Sequence, residues 1–130
     1  MSDSKSDDFQ QRVSTLIIRN QNILDILTKC QGACGKICRS TVKSATGCGC
    51  IEINAEKKLP VFSGEKKSSM REMSGVSGVL CSECKSSIEN EIGEMLFYIA
   101  GLCNALGISM CDIMKKEIKN VEVLGKYSLR

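Results

Sequence analysis

Four cysteines stand in two pairs, Cys48-Gly49-Cys50 and Cys81-Ser82-Glu83-Cys84, with residues 51–80 between them. Four thiolates arranged two and two make the ligand set of a tetrahedral zinc site, which needs no redox chemistry and no open position. An iron-sulfur cluster uses the same ligands, so spacing leaves both open. The second pair has the common two-residue spacer, whereas the first has a single residue and is tighter than most zinc knuckles. A metal here would clip the intervening segment shut, with an apparent binding energy of about 10 kcal/mol or more available to the fold. The other five cysteines read differently. Cys30, Cys34 and Cys38 recur every four residues along one side of a helical pattern, and with Cys103 and Cys111 they are expected to pack as small hydrophobes.

A second set of ligating groups is carboxylate. Glu91 and Glu94 lie at i and i+3 in a helical stretch and can hold Mg²⁺ through oxygen; Glu89 is a candidate third ligand. Acidic residues early in a helix are also favoured by the macrodipole alone. The chain has no histidine, which removes mechanisms that use imidazole as base, shuttle or ligand. Any metal site must be built from thiolate and carboxylate.

Both sets are positioned by a chain of 130 residues, the size of one domain. Residues 1–7 are expected to be a frayed tail, followed by one long helix over 8–45 with a heptad seam of Val13, Leu16, Asn20, Ile23, Leu27, Cys30, Cys34 and Ile37. Ile17, Leu24 and Ile26 widen that seam, as in a bundle helix, and Asn20 within it could fix register with a partner. Gly32 and Gly35 mark a weak point or a close helix contact. Residues 46–84 form a cysteine-bounded loop region, in which Cys50–Ile53 and Leu59–Phe62 are compatible with a small hairpin and 63–79 reads as loop. A helical hairpin should occupy 85–130. Its first helix places Ile88, Ile92, Met95, Leu96, Ile99, Cys103 and Leu106 on a core stripe, with Phe97, Ala100 and Asn104 on a second line. Gly107 breaks the chain, Ser109 with Asp112 begins a last short helix, and Leu124-Gly125 closes it.

Composition excludes several classes. The formal charge of +3 comes from 18 basic and 15 acidic residues, and the lysines are scattered without interleaved aromatics, so nucleic-acid binding is not indicated. The longest apolar run, Met95 to Cys103, is far below the roughly 20 residues of a membrane helix. The opening MSDSKSDDFQQ is polar and acidic, unlike a signal peptide, and the expectation is a cytoplasmic protein with reduced cysteines.

The stretch EIGEMLFYIAGLCNALGI resembles the second motif of the MazG-type, all-α nucleoside triphosphate pyrophosphohydrolases, a Glu-x-x-Asp pair followed by an apolar helix and a Leu-Gly-Ile turn. Downstream, Lys116 and Asn120 match the Lys-x-x-x-Asn of that family, and the likeness covers roughly residues 88–126. The resemblance implies Glu91 and Glu94 as Mg²⁺ ligands in catalysis, Lys116 and Asn120 as phosphate-binding residues, and release of monophosphate and pyrophosphate. The chain departs from the pattern at Glu94, where aspartate is expected, and in lacking the upstream Glu-Glu-x-x-Glu motif. The whole chain also resembles a small bacterial family with the same CGC and CxxC pairs, which implies no activity.

The expectation is an all-α domain, one long N-terminal helix and two shorter C-terminal helices in a bundle with a cysteine-rich metal-binding insertion, acting as a homodimer. Three functions remain open. One is a divergent MazG-like nucleotide-binding protein or pyrophosphohydrolase. The others are a non-catalytic zinc-stabilised helical interaction module and an iron-sulfur or thiol redox sensor.

Overall fold

The computed structural model describes residues 2–16, 22–54 and 74–126. Among them the chain is mainly helical, with α1 (Ser2–Thr15), α2 (Ile23–Lys43), α3 (Ser82–Leu106) and α4 (Met110–Lys126). A π turn, Ser44–Cys48, ends α2, and strands β1 (Ile51–Ile53) and β2 (Val76–Gly78) pair antiparallel with Ile51 opposite Gly78 and Ile53 opposite Val76. No single helix is long and apolar enough to cross a membrane among the described residues.

Two helices therefore replace the long one expected over 8–45, and the expected tail is helical from Ser2. Within α1 an i,i+4 pair, Arg12 Nε with Asp8 Oδ2 at 2.9 Å, supports the helix. A second start is written at Asn22, whose Oδ1 accepts the Asp25 amide at 3.0 Å and so caps α2. Ile17 and Asn20 lie outside the described residues. The hairpin is also redrawn: β1 falls where expected, but its partner comes from the stretch read as loop, and Leu59–Phe62 lies outside the described residues. Gly78 has φ +89°, and a Cβ there would sit 2.6 Å from the Cys50 carbonyl oxygen, so only glycine lets the strands approach this closely.

The chain divides into two compact units, Met1–Gly32 with Glu94–Arg130, and Ala33–Gly93. In the first, Val13 of α1, Ala100 and Cys103 of α3 and Met110 of α4 form a buried cluster, with Phe97 and Ile99 packed against it. The core of α3 thus centres between the two lines expected for it, and Ile92, Leu96 and Leu106 of the expected stripe are exposed. This helix carries more apolar surface than the described residues cover. The same rotation affects α2, whose buried residues are Ile26 and Ala33, while Ile23, Leu27 and Cys34 of the expected seam are exposed. Gly32 has open space around it, so it marks no close helix contact among the described residues.

The corner after α3 is closed by hydrogen bonds that the sequence half announces. The Ile108 amide donates to the Cys103 carbonyl at 3.0 Å and the Gly107 amide to Asn104 at 3.4 Å, with Gly107 at φ 70°, a Schellman ending. The chain then turns through 109° into α4. Ser109 Oγ accepts the Asp112 amide at 3.2 Å as expected, and α4 runs on through Gly125 to Lys126. Gln10 of α1 locks this corner from outside. Its amide nitrogen donates to Asn104 Oδ1 at 3.0 Å and to the Ile108 carbonyl at 2.8 Å, and its Oε1 accepts the Met110 amide at 2.8 Å.

Replacing Gln10 with alanine leaves the first amide of α4 and the Ile108 carbonyl without their partners. The expected loss is about 2 kcal/mol of stability. Urea unfolding should show a lower midpoint with an unchanged slope.

Candidate metal centre

The end of α2 does not finish as an ordinary helix. Ser44 is buried, and its hydroxyl donates to the Ser40 carbonyl at 3.0 Å. The Gly49 amide reaches back to the Ser44 carbonyl at 2.9 Å, which widens the last turn, and Gly49 at φ +82° then reverses the chain between Cys48 and Cys50. Cys50 Sγ lies 3.7 Å from that same carbonyl. The one-residue spacer, tight for a zinc knuckle in an extended chain, is accommodated by this π turn and its left-handed glycine.

The second pair sits at the start of α3. Cys81 occupies the capping position and its Sγ accepts the Cys84 amide at 3.4 Å, while its carbonyl accepts the Lys85 amide at 2.9 Å. The two pairs meet. Cys48 Sγ and Cys81 Sγ are 3.8 Å apart, and the sulfurs of Cys48, Cys50, Cys81 and Cys84 all lie within 4.8 Å of one another. These residues form the one cluster of potential cysteine, aspartate or glutamate metal ligands among the described residues, and they could hold a metal ion.

Electrostatics separates the four thiols. The Cys84 amide, then the Cys84 thiol, lower the Cys81 pKa to about 7 against a lesser effect of desolvation. At Cys84 the largest single influence, the Ser44 hydroxyl, acts downward, but the charge at Cys81, desolvation and the Cys50 and Cys48 thiols together push it up to about 12. Cys48 is also raised, chiefly by Cys81. The first negative charge settles on Cys81, while Cys48 and Cys84 hold their protons more tightly. Lys43, Cys48 and Cys84 line a cleft of about 300 Å³ that leaves the cluster open to solvent.

The remaining candidates fall elsewhere. Glu91 and Glu94 lie one turn apart on α3 and are half-buried; Glu91 Oε1 is buried and has no hydrogen-bond partner among the described residues. Glu89 is exposed. Lys116 and Asn120 are exposed on α4, with Asn120 Nδ2 donating to Glu117 Oε1 at 3.3 Å. Cys103 and Cys111 are buried as expected, and Cys30 is half-buried with its pKa raised by desolvation, but Cys34 and Cys38 face solvent. Ser44 and Lys43 were not singled out by sequence, because a π turn has no residue signature and both read there as ordinary helix. Comparison of the chain with protein-family models, with curated proteins and with solved structures found no match.

In metal-free, reduced protein Cys81 should alkylate first of the four and Cys84 last. Cys81 is thiolate above its pKa and thiol below it, so its rate of reaction with iodoacetamide should rise through neutral pH and level off above about pH 8. Peptide mapping by mass spectrometry at a series of pH values reads this order directly.

Proposed function

We propose that the chain is a zinc-clipped helical protein, in which Cys48, Cys50, Cys81 and Cys84 hold one structural Zn²⁺ that ties the end of α2 to the start of α3. The carrying observation is the spacing of the sulfurs. A Zn–S bond of about 2.3 Å in a tetrahedron sets ligand sulfurs about 3.8 Å apart. Cys48 and Cys81 stand at 3.8 Å, and the whole set at no more than 4.8 Å. An iron-sulfur cluster distributes its cysteines over two or more irons, so some of its ligand sulfurs are separated by a metal–metal axis as well as by two bonds. The close grouping favours a single ion. Four thiolates fill a tetrahedron and leave no position for substrate, which favours a scaffolding role and an interaction module over chemistry at the metal.

Purified without chelators, the protein should carry one zinc per chain by elemental analysis and be colourless. Cys81→Ser or Cys84→Ser should lose the metal, and chelation of the wild type should lower its melting temperature by at least about 10 °C, since one kcal/mol is worth roughly 4–8 °C in a small domain. A coloured protein containing iron and sulfide would overturn the reading.

A second reading, nucleotide binding in the manner of the MazG-type enzymes, has one observation in its favour. A buried carboxylate oxygen without a hydrogen-bond partner among the described residues, Glu91 Oε1, is costly unless a cation or a proton joins it. With Glu94 one turn on, it would supply oxygen ligands to Mg²⁺ on a triphosphate, Lys116 and Asn120 being the candidate phosphate contacts. Incubation with Mg²⁺ and a panel of nucleoside triphosphates should then give monophosphate and pyrophosphate, abolished in Glu94→Gln without loss of zinc or fold. Absence of product with the wild type, metal loaded and folded, removes hydrolysis of those substrates.

A further inference from the structure

Helix α4 leaves an apolar face uncovered. Met114, Ile118 and Val121 are 47%, 57% and 57% exposed, and with Glu117 and Glu122 they line a shallow groove of about 380 Å³; the groove is bounded at its Met114 end by α1, whose Ser6 hydroxyl donates to Met114 Sδ at 3.1 Å. α2 also exposes Ile23, Leu24 and Leu27, but only over one turn, after which Gln31 interrupts the line. On α4 the line continues. Cys111, Ile118 and Gly125 take one core position of a heptad and Met114 and Val121 the other, alternating by three and four along a single stripe.

The charges beside this stripe choose its occupant. Lys115 and Glu122 follow the second core position on one flank, and Glu117 and Leu124 precede the first on the other; Lys115, Glu117 and Glu122 are all exposed. Two copies of α4 side by side and parallel would set Glu117 against the partner's Glu122, twice. Two antiparallel copies instead set like flank against like. With Ile118 level with the partner's Val121, Lys115 meets the partner's Glu122 and Glu122 meets the partner's Lys115. A slip of one heptad either way pairs lysine with lysine or glutamate with glutamate.

We propose that α4 packs against α4 of a second copy of this chain, antiparallel, about a two-fold axis passing between Ile118 and Val121. Charge complementarity selects both direction and register, and the apolar stripe supplies the contact. A helix of 17 residues is about 25 Å long, and Cys111 is already buried within its own chain, so the contact is smaller than the roughly 800 Å² per partner of a standard interface. Association is therefore weak and concentration-dependent, in the micromolar range or above. Nothing in this proposal depends on the metal at the cysteines.

The test is sedimentation of the full, zinc-loaded chain over a concentration series at low salt, with helicity checked by circular dichroism for each variant. Wild type should move from monomer to dimer, and Ile118→Glu should stay monomeric. Glu122→Lys should raise the dissociation constant by about tenfold, and adding Lys115→Glu should bring it back to within about threefold of wild type. These exposed charge changes leave the fold intact, so they report on the contact even if Ile118→Glu disturbs folding. Tighter association by Glu122→Lys would indicate a parallel pair and overturn the proposal. A wild type that remains monomeric, or a dimer indifferent to the charge exchange, would also overturn it.

Discussion

Four thiolates within 4.8 Å of one another repel, and a shared cation would offset that repulsion. The metal-free cluster already shows the strain of this arrangement, with Cys81 ionising near neutrality while Cys84 is driven up to about 12. Everything near it serves to keep the sulfurs converged. The π turn bends the end of α2 back on itself, Gly49 reverses the chain, the Cys84 amide fixes Cys81, and the β1–β2 ladder returns the chain from residue 54 to residue 74. Neither pair could stay at ligand distance if the strands between them slipped. A one-residue shift of β2 would also move Gly78 away from the Cys50 carbonyl, against which no side chain fits.

The scale of that constraint is set by how little else is buried. Among the described residues half of the buried apolar side chains are small, Ala33, Ala100, Cys103 and Cys111, and Val13, Ile26, Ile51 and Met110 are the larger members. Burying a valine, isoleucine or methionine contributes about 1.5–3 kcal/mol. A thiolate-bound zinc at about 10 kcal/mol or more equals several such side chains, gathered at one point. A shared metal would contribute most where the described core is thinnest, and the four converging cysteines lie within residues 33–93, where the described hairpin has only Ile51 buried.

Sequence made the cysteine cluster legible because cysteine pairs at short spacing are rare and their chemistry admits few partners. It could not show the π turn, since Ser44, Ala45 and Thr46 carry no signal that distinguishes a widened last turn from an ordinary one. Helix existence was equally legible, but the break between α1 and α2 was missed because the apolar period runs through it, and the Asn22–Asp25 cap, which was there to be read, was outweighed by that period. The partner of β1 was missed because Ser-Gly-rich text reads as loop, whereas here glycine is what allows the strands to touch. The remaining miss is instructive in another way. On α2 and α3 the apolar lines were found, but the face actually buried is rotated from the one chosen, because both helices have more apolar residues than one chain covers, and periodicity reports a face without naming its neighbour.

That excess has a physical consequence for where a second chain can settle. An apolar stripe alone is indifferent to direction and register, so the line on α2, with exposed Ile23 and Leu27 and no charges flanking it to select among alignments, specifies little even though it is hydrophobic. α4 is the less apolar helix of the chain's C-terminal half, yet its Lys115, Glu117 and Glu122 penalise the parallel alignment and the slipped registers while leaving one antiparallel alignment unopposed. Specificity is a difference between arrangements, and a short weak contact with the wrong arrangements made repulsive is better defined than a longer one without that penalty. The same logic would govern the cysteines at the other scale: four sulfurs are individually ordinary, and a shared cation would make their one converged arrangement the favoured one.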